Sequence, residues 1–486
     1  MNILFPNADL ATLDADLLVV GASSAEDLNV LGAFAGALTE HLAQQSFSYK
    51  AGTLEIVPTM GAINALAVAV VGTTDATTET LLEAARHAGS LARGRKATHV
   101  ALHLGAIDSA ALSELIVHLR AGNYRWDKHL PAARQHPALE TLTFVGLPAG
   151  EGRVDAVSRA LTMSKWQDVA RDLVNMPPAD LYPESLAAAA SRLQSIPGVS
   201  VDVWDFEKCR AEGLVGIIAV GQGSTRPGTL SWLRYRPANA VDHIALVGKG
   251  VTFDAGGLSL KPSAAMQTMR CDMGGAATAL AAFGAIAELG LPIAVDCLLP
   301  SVENMCAANS FKLGDILTYR NGVTVEIHNT DAEGRLILAD ALILASELDG
   351  VSTIVDMATL TGACIIALGD DFTAMYSHDD TLAQGLLDAS DKAGELMWRM
   401  PLHKPYNRQL KGTWSEIKNV GGRPAGSITA ALFLSHFVRD DVTWAHLDIA
   451  GTAFADKASN HYAAGGTGQV VRALAMWAAE HAESKA

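Results

Sequence analysis

The sequence predicts an α/β fold of two domains: a smaller amino-terminal α/β domain joined by a helix to a larger α/β domain with a mixed central sheet. Three observations carry this. Short β-branched runs alternate with longer alanine- and leucine-rich segments along most of the chain. A length of 486 residues exceeds what one ordinary core organises. Finally, Asn321-Gly322 lies between two strand-like runs, Ile316–Tyr319 and Val323–His328, and is a strong hairpin turn signal that makes the sheet mixed.

In residues 1–153, Asp16–Val20, Ile63–Gly72, His99–Leu104 and Leu139–Gly146 read as strands, and Asn29–Gln45, Glu79–Arg93 and Ser109–Ala121 as helices. This first domain carries no chemical motif. Val154–Val174 reads as one long helix ended by Asn175-Met176-Pro177-Pro178, because proline cannot continue a helix. Residues 154–178 are therefore the predicted connector to a second domain at 179–486. There, Ser200–Trp204, Val215–Val220, Thr229–Tyr235, His243–Val247, Ile293–Leu299, Thr353–Ala358 and Trp444–Ile449 read as strands. Ala276–Leu289, Leu336–Leu348, Ser427–Val438 and Val470–Ala482 read as helices.

Composition excludes several classes. A formal charge of −16 argues against nucleic acid and anionic membrane as partners, and the one short basic cluster, Arg93-Gly94-Arg95-Lys96, reads as a solvated helix end. Cys209, Cys271, Cys297, Cys306 and Cys364 are odd in number and never spaced as C-x-x-C, so neither a disulfide framework nor a thiolate zinc site is expected. The start, Met1-Asn2-Ile3-Leu4-Phe5-Pro6-Asn7, has no basic leader region. Ile63–Gly72 and Ala276–Ala287 fall short of a bilayer span, and a cytoplasmic location is the expectation. The dinucleotide, P-loop, nucleophile-elbow and H-E-x-x-H signatures are absent. Gly221-Gln222-Gly223 and Gly248-Lys249-Gly250 begin like dinucleotide loops, but Arg226 and Phe253 stand where the third glycine belongs.

Four segments concentrate the chemistry. Asn329-Thr330-Asp331-Ala332-Glu333-Gly334-Arg335-Leu336 places two carboxylates and a guanidinium between a strand-like and a helix-like run. Val247–Pro262 leaves a strand for a glycine-rich loop bearing Lys249, Asp254 and Lys261. Met269-Arg270-Cys271-Asp272-Met273-Gly274-Gly275-Ala276 opens an apolar helix, and Asp356–Ala363 is again a strand end running into a helix. In open α/β sheets ligands bind at that edge. Two divalent cations would neutralise Asp254, Asp272, Asp331 and Glu333, and an oxygen-rich set suits Mn, Mg or Zn. A lysine beside such ions can bind as a neutral amine. Two ions about 3.5–4 Å apart would activate a bridging water. Taken singly, Asp331, Glu333 and Asp272 are equally well helix caps, Arg335 a surface partner, and Lys249 and Lys261 solvated loop residues. Their joint placement at successive strand ends favours the metal reading.

These segments resemble the leucyl (cytosol) aminopeptidase family of dinuclear metallopeptidases. Asn329–Leu336 matches that family's signature without a substitution, and the GKG-x-x-FD-x-GG-x-SLKP and DMGGAA patterns match as well. So do Ala170–Asn175, Gly213–Gly223, Gly421–Ala431 and Trp444–Thr452, which extends the resemblance from about residue 165 onward. It implies a macro-like first domain and hydrolysis of the amino-terminal residue of peptides, leucine and other apolar residues preferred. It implies two ions per subunit, Mn2+ or Zn2+ with Co2+ or Mg2+ as alternatives. Lys249, Asp254, Asp272 and Glu333 would hold the tighter ion, and Asp254, Asp331 and Glu333 the more exchangeable one, helped by the Asp331 carbonyl.

Lys261 and Arg335 would be the catalytic pair. Lys261 can stabilise an oxyanion, and Arg335 would hold a bicarbonate near the Leu360 loop as the proton shuttle. By position in these motifs, Met269, Thr359, Leu360, Gly362, Ala450 and Ala453 would bind substrate and line the first side-chain pocket. A substrate's free α-amine on one ion would restrict cleavage to the first bond, and a homohexamer is implied. Arg270-Cys271 and Gly466–Val471 depart from the usual residues without touching a ligand. Alternatives inside this reading are a dipeptidase such as a cysteinylglycinase and a moonlighting DNA-binding regulator, the latter opposed by the net charge.

Overall fold

The computed structural model describes residues 1–74, 77–105, 109–147, 153–458 and 463–486. Its contacts divide the chain into two compact units, Met1–Lys165 and Trp166–Lys457 with Ala464–Ala486. The division falls inside the helix Arg153–Asn175, which Asn175 ends two residues before Pro177-Pro178.

The first unit holds a six-stranded sheet of β1 (Asn2–Leu4), β2 (Leu17–Ala22), β3 (Leu54–Pro58), β4 (Ala67–Gly72), β5 (His99–His103) and β6 (Thr141–Phe144), in the order β1-β6-β5-β2-β4-β3. All pairs are parallel except β3–β4. β2, β4 and β5 are almost wholly buried, as uninterrupted Val/Ala/Leu runs require when both sheet faces are covered. The predicted helix Asn29–Gln45 is a 3₁₀ stretch, Ala25–Leu31, followed by the α-helix Phe34–Gln44. Gly32, at φ +57°, makes the break.

In the second unit the main sheet comprises β7 (Val199–Trp204), β8 (Thr229–Tyr235), β9 (His243–Gly248), β10 (Gly250–Asp254) and the long β11 (Ala294–Asn304). β12 (Ile316–Thr318) and β13 (Thr324–Glu326) form a hairpin outside it. β14 (Thr353–Ala358), β15 (Thr373–Ser377), β16 (Met397–Arg399) and β18 (Thr443–Asp448) complete the main sheet, while β17 (Ile417–Lys418) joins the hairpin. The main order is β16-β15-β18-β14-β9-β11-β8-β7, with β10 also on β11. β18, β14, β9, β10 and β11 run parallel, whereas β7–β8, β8–β11 and β15–β18 are antiparallel.

The sheet is thus mixed, but not for the expected reason. The Asn321-Gly322 hairpin belongs to a separate three-stranded sheet, β12-β13-β17, and β13 is only three residues long. The octapeptide therefore does not leave the edge of the main sheet. A second correction concerns Val215–Val220, expected as a strand: Val215–Gly221 is a helix. Its run of β-branched residues has no decisive period, and tertiary packing settles it. The Asp340 carboxylate accepts the backbone N–H of Ile217 at 2.7 Å, capping the helix start. A Cβ at Gly216 would lie 2.1 Å from the Leu336 carbonyl, so only glycine permits that approach. Among the described residues no helix is long and apolar enough to cross a membrane.

Candidate functional site

Three chain segments deliver charged side chains to one cluster beside the carboxyl ends of β9, β10 and β11, and the loop after β14 adds Thr359. Lys249 lies between β9 and β10, which both pair parallel with β11. Asp254 ends β10, and Asp272 lies in a 3₁₀ turn, Met269–Met273, that enters the helix Gly274–Glu288. Gly275 lets that helix approach the sheet, since a Cβ there would stand 2.2 Å from the Met357 carbonyl. Glu333 is the N-cap of the wholly buried helix Gly334–Ser346, with Arg335 in its first turn.

Asp254, Asp272 and Glu333 each place a carboxylate oxygen within 4.8 Å of the others, and all are buried. Lys249 Nζ donates to Asp272 Oδ1 at 2.8 Å and to the Thr359 carbonyl at 2.8 Å, with Glu333 Oε1 at 3.1 Å. Lys261 Nζ lies 2.9 Å from Asp254 Oδ2 and 2.6 Å from Asp331 Oδ1, which brings Asp331 into the cluster. The Lys261 side chain is 16% exposed against 4% for Lys249, so Lys261 is the cation an arriving molecule meets.

Two ammonium groups cannot balance four carboxylates, three of them buried and Asp331 half-buried. Burial, then the neighbouring Glu333, pushes the Asp254 carboxyl up to about 6, and burial raises Asp272 and Asp331 as well. Burial acts on Glu333 too, but Lys249 and Lys261 outweigh it and hold its carboxyl below the usual range. Lys249 pays heavily for burial, and Asp272, Glu333 and Asp254 more than compensate and raise its pKa. Asp272 Oδ2 is buried with no hydrogen-bond partner. A deficit of positive charge, a converging carboxylate trio and an unpartnered carboxylate oxygen together fit divalent cations, which need oxygen ligands in that arrangement.

Arg335 answers a different need. Its guanidinium is buried, and Nη1 donates to the Asn419 carbonyl at 3.0 Å. Nε has no partner, and among the described residues no carboxylate lies at ion-pair distance. Burial lowers its pKa to about 10, so it stays charged at neutral pH. A buried guanidinium with free donor capacity is a binding point for a small planar anion.

The six residues expected to bind substrate are less uniform. Thr359 Oγ1 donates to Asp272 Oδ1 at 2.8 Å, so its hydroxyl supports a carboxylate. Only its methyl is left for a pocket: a Cβ at Gly274 would lie 3.2 Å from Thr359 Cγ2 and 3.3 Å from Ala453 Cβ. Leu360 donates its N–H to Asp448 Oδ1 at 3.1 Å. Met269 and Ala450 are half-buried, and Gly362 is exposed.

Sequence reasoning missed three supporting residues. Asn304, at the end of β11, donates through Nδ2 to Asp254 Oδ1 at 2.8 Å, Glu333 Oε2 at 3.3 Å and the Thr330 carbonyl at 3.1 Å. Asn419 bonds the Asn329 backbone at the start of the octapeptide and Arg335 near its end. Asp448 accepts the N–H of Leu360 and the hydroxyl of Thr361 at 2.6 Å.

The sequence profile described as "Cytosol aminopeptidase family, catalytic domain" matches residues 168–475. A probable cytosol aminopeptidase of Parasynechococcus marenigrum is 40% identical over 495 residues, covering 98% of this chain and 99% of the relative. One from Syntrophotalea carbinolica is 45% identical over 370 residues, covering 75% of this chain and 74% of its own. Among solved structures, the bottromycin maturation enzyme BotP in complex with Mn superposes with a TM-score of 0.85 at 34% identity, covering 96% of this chain and all of its own. The cytosol aminopeptidase of Coxiella burnetii gives 0.83 at 30% identity, covering 98% and 99%.

Proposed function

This chain belongs to the cytosol aminopeptidase family of metal-dependent peptidases and is an aminopeptidase; we propose that it removes leucine and other apolar residues from peptides with a free amino terminus, using two divalent ions per subunit. One observation carries the two-ion reading. Four carboxylates, three of them buried, and two lysines are gathered in one cluster with too little positive charge and an unpartnered Asp272 oxygen. Lys249, Asp254, Asp272 and Glu333 would hold one ion, and Asp254, Asp331 and Glu333 the other, Mn2+ or Zn2+ with Co2+ or Mg2+ as substitutes. Bound there, such ions supply Lewis acidity and an activated water.

The protein's own groups do the rest. Lys261, the more exposed cation, presents an ammonium to the scissile carbonyl and to the oxyanion that develops on it. Every carboxylate of the cluster is committed to a cation, and the family resemblance assigns the proton carrier's role to an anion held on Arg335. Bicarbonate fits the unpartnered Nε of that planar guanidinium and would pass the proton toward the leaving amine. The Thr359 methyl and Ala453 would supply apolar surface for the first side chain, and Met269, Leu360, Gly362 and Ala450 join them by motif position. A cytoplasmic homohexamer accompanies this reading. A light-scattering mass near one subunit's 50.9 kDa would refute the hexamer.

The test strips metal, restores Mn, Zn, Co or Mg singly, and assays leucine p-nitroanilide beside a dipeptide panel that includes cysteinylglycine. Glu333→Ala and Lys261→Ala accompany the wild type. Activity should vanish on stripping and return with metal, and both variants should lose it. Full activity without metal, or in Glu333→Ala, sinks the two-ion reading; a preference confined to dipeptides replaces the peptide substrate.

A further inference from the structure

Asn419 occupies an unusual place. β17 runs parallel to β13 with Glu326 opposite Lys418, and the Asn419 N–H donates to the Glu326 carbonyl at 3.0 Å. One residue later the two strands would continue as a ladder, but the chain beyond β13 turns away into the octapeptide. The Asn419 side chain takes over at that point. Its Oδ1 accepts the N–H of His328 at 2.8 Å and of Asn329 at 3.3 Å. Its Nδ2 donates to the Asn329 carbonyl at 2.6 Å and the Ala332 carbonyl at 3.4 Å. A carboxamide offers the same donor and acceptor as a peptide group, so it extends the ladder where no backbone is available.

The residue is completely buried, and its backbone carbonyl accepts Arg335 Nη1 at 3.0 Å. The Asn419 main-chain N–H and C=O and both side-chain polar atoms are therefore all engaged. Two bind the loop that presents Asp331 and Glu333, one binds β13, and one binds the guanidinium. That guanidinium has no other partner among the described hydrogen bonds. A single buried residue thus ties the backbone of the loop that carries Asp331 and Glu333 to the guanidinium of the proposed anion site.

We propose that Asn419 is a positioning residue that sets the distance between the carboxylate loop and Arg335. This rests on the reading of Arg335 as the anion holder. A shift of the loop by a fraction of an ångström would separate activated water from proton carrier while leaving the side-chain pocket intact. Chemistry should suffer, and substrate binding should not.

A double-mutant cycle on the full-length, metal-loaded enzyme tests this, using Asn419→Ala, Arg335→Ala and the pair, with leucine p-nitroanilide as substrate and Mn2+ titration calorimetry alongside. Asn419→Ala should lower kcat by about ten- to a hundredfold with KM within about threefold, and should cost less than about threefold in the Arg335→Ala background. Additive effects, or an Asn419→Ala enzyme with wild-type kcat, overturn the proposal. If Asn419→Ala does not fold, Asn419→Asp serves. It keeps both acceptor bonds but sets a carboxylate oxygen against two carbonyls, and the same pattern of kcat and coupling is required. An Arg335→Ala enzyme with unchanged kcat instead removes the underlying reading of Arg335, which separates that failure from this one.

Discussion

Replacing Lys249 by methionine removes one buried cation and keeps nearly the same volume. Lys249 is 3% exposed, and its ammonium touches Asp272 at 2.8 Å and Glu333 at 3.1 Å. Without it, Lys261 alone faces four carboxylates, and Asp272 loses its only ion-pair partner among the described residues. Breaking a buried pair by deleting one member costs about 3–5 kcal/mol, because the other charge stays desolvated. The unit that contains the site runs from Trp166 to Ala486 and holds roughly 300 described residues. At about 2.1 cal/mol/K per residue its unfolding entropy is about 0.6 kcal/mol/K, which converts the loss into a Tm lower by about 5–8 °C. The assay is calorimetric unfolding of metal-stripped protein. Adding Mn2+ at about one hundred times its Kd should return about 2.7 kcal/mol per occupied site. A change below about 1 °C in the stripped protein would show Lys249 to be a solvated loop lysine, and the charge argument for the site would fall with it.

Asn304→Ala withdraws the amide that Asp254 and Glu333 share; Mn2+ affinity should fall about 10- to 100-fold, read by metal titration, and Tm by about 2–5 °C for the buried acceptors left unpaired. Gly334→Ala sets a Cβ 2.3 Å from Lys249 Cε, so the variant should keep its circular dichroism and lose activity, because the buried lysine has nowhere to go. His446 and Asp356 form a fully buried pair at 2.6 Å, and burial, which opposes charge on the histidine, is outweighed by the carboxylate, so the His446 pKa is raised. Its stabilisation is complete below about pH 6.5 and is lost as pH rises through the folded-state value, about 1.4 kcal/mol for each unit of elevation. Chemical denaturation between pH 6 and 9 should show this slope in the wild type and a flatter one in His446→Gln.

Much of the fold was legible because the central strands of the second unit are largely buried and rich in β-branched and other apolar residues. Thr229–Tyr235 and Thr353–Ala358 fall where their sequences place them. Helices with long alanine or leucine runs, Gly274–Glu288 and Gly334–Ser346, were equally clear. Elements whose identity depends on a distant partner were not. Val215–Gly221 became a helix because Asp340, on another helix, caps its first turn. β3 is an antiparallel edge strand, and β15 lies between β16 and an antiparallel β18, pairings that no local pattern announces.

The site divides along the same line. Charged residues in glycine-rich loops at strand ends are visible in a sequence, because ionisable groups beside glycines at such places have few structural uses. Lys249, Asp254, Lys261, Asp272, Asp331 and Glu333 do meet in one cluster. What holds them apart at working distances is neutral. Asn304 comes from the end of β11 and Thr359 from beyond β14, each hydrogen-bonding a carboxylate, and Asn419 comes from beyond β17, its amide on the backbone of the carboxylate loop and its carbonyl on Arg335. Asparagine and threonine after a strand are ordinary turn residues, so nothing local distinguishes these from the rest. Yet a carboxylate cluster of this charge repels itself, and lysines alone do not fix its spacing because their long side chains adjust. Short, rigid amides anchored in the sheet do fix it. The neutral shell should therefore govern metal affinity and kcat, while the charged residues decide whether metal and substrate bind at all.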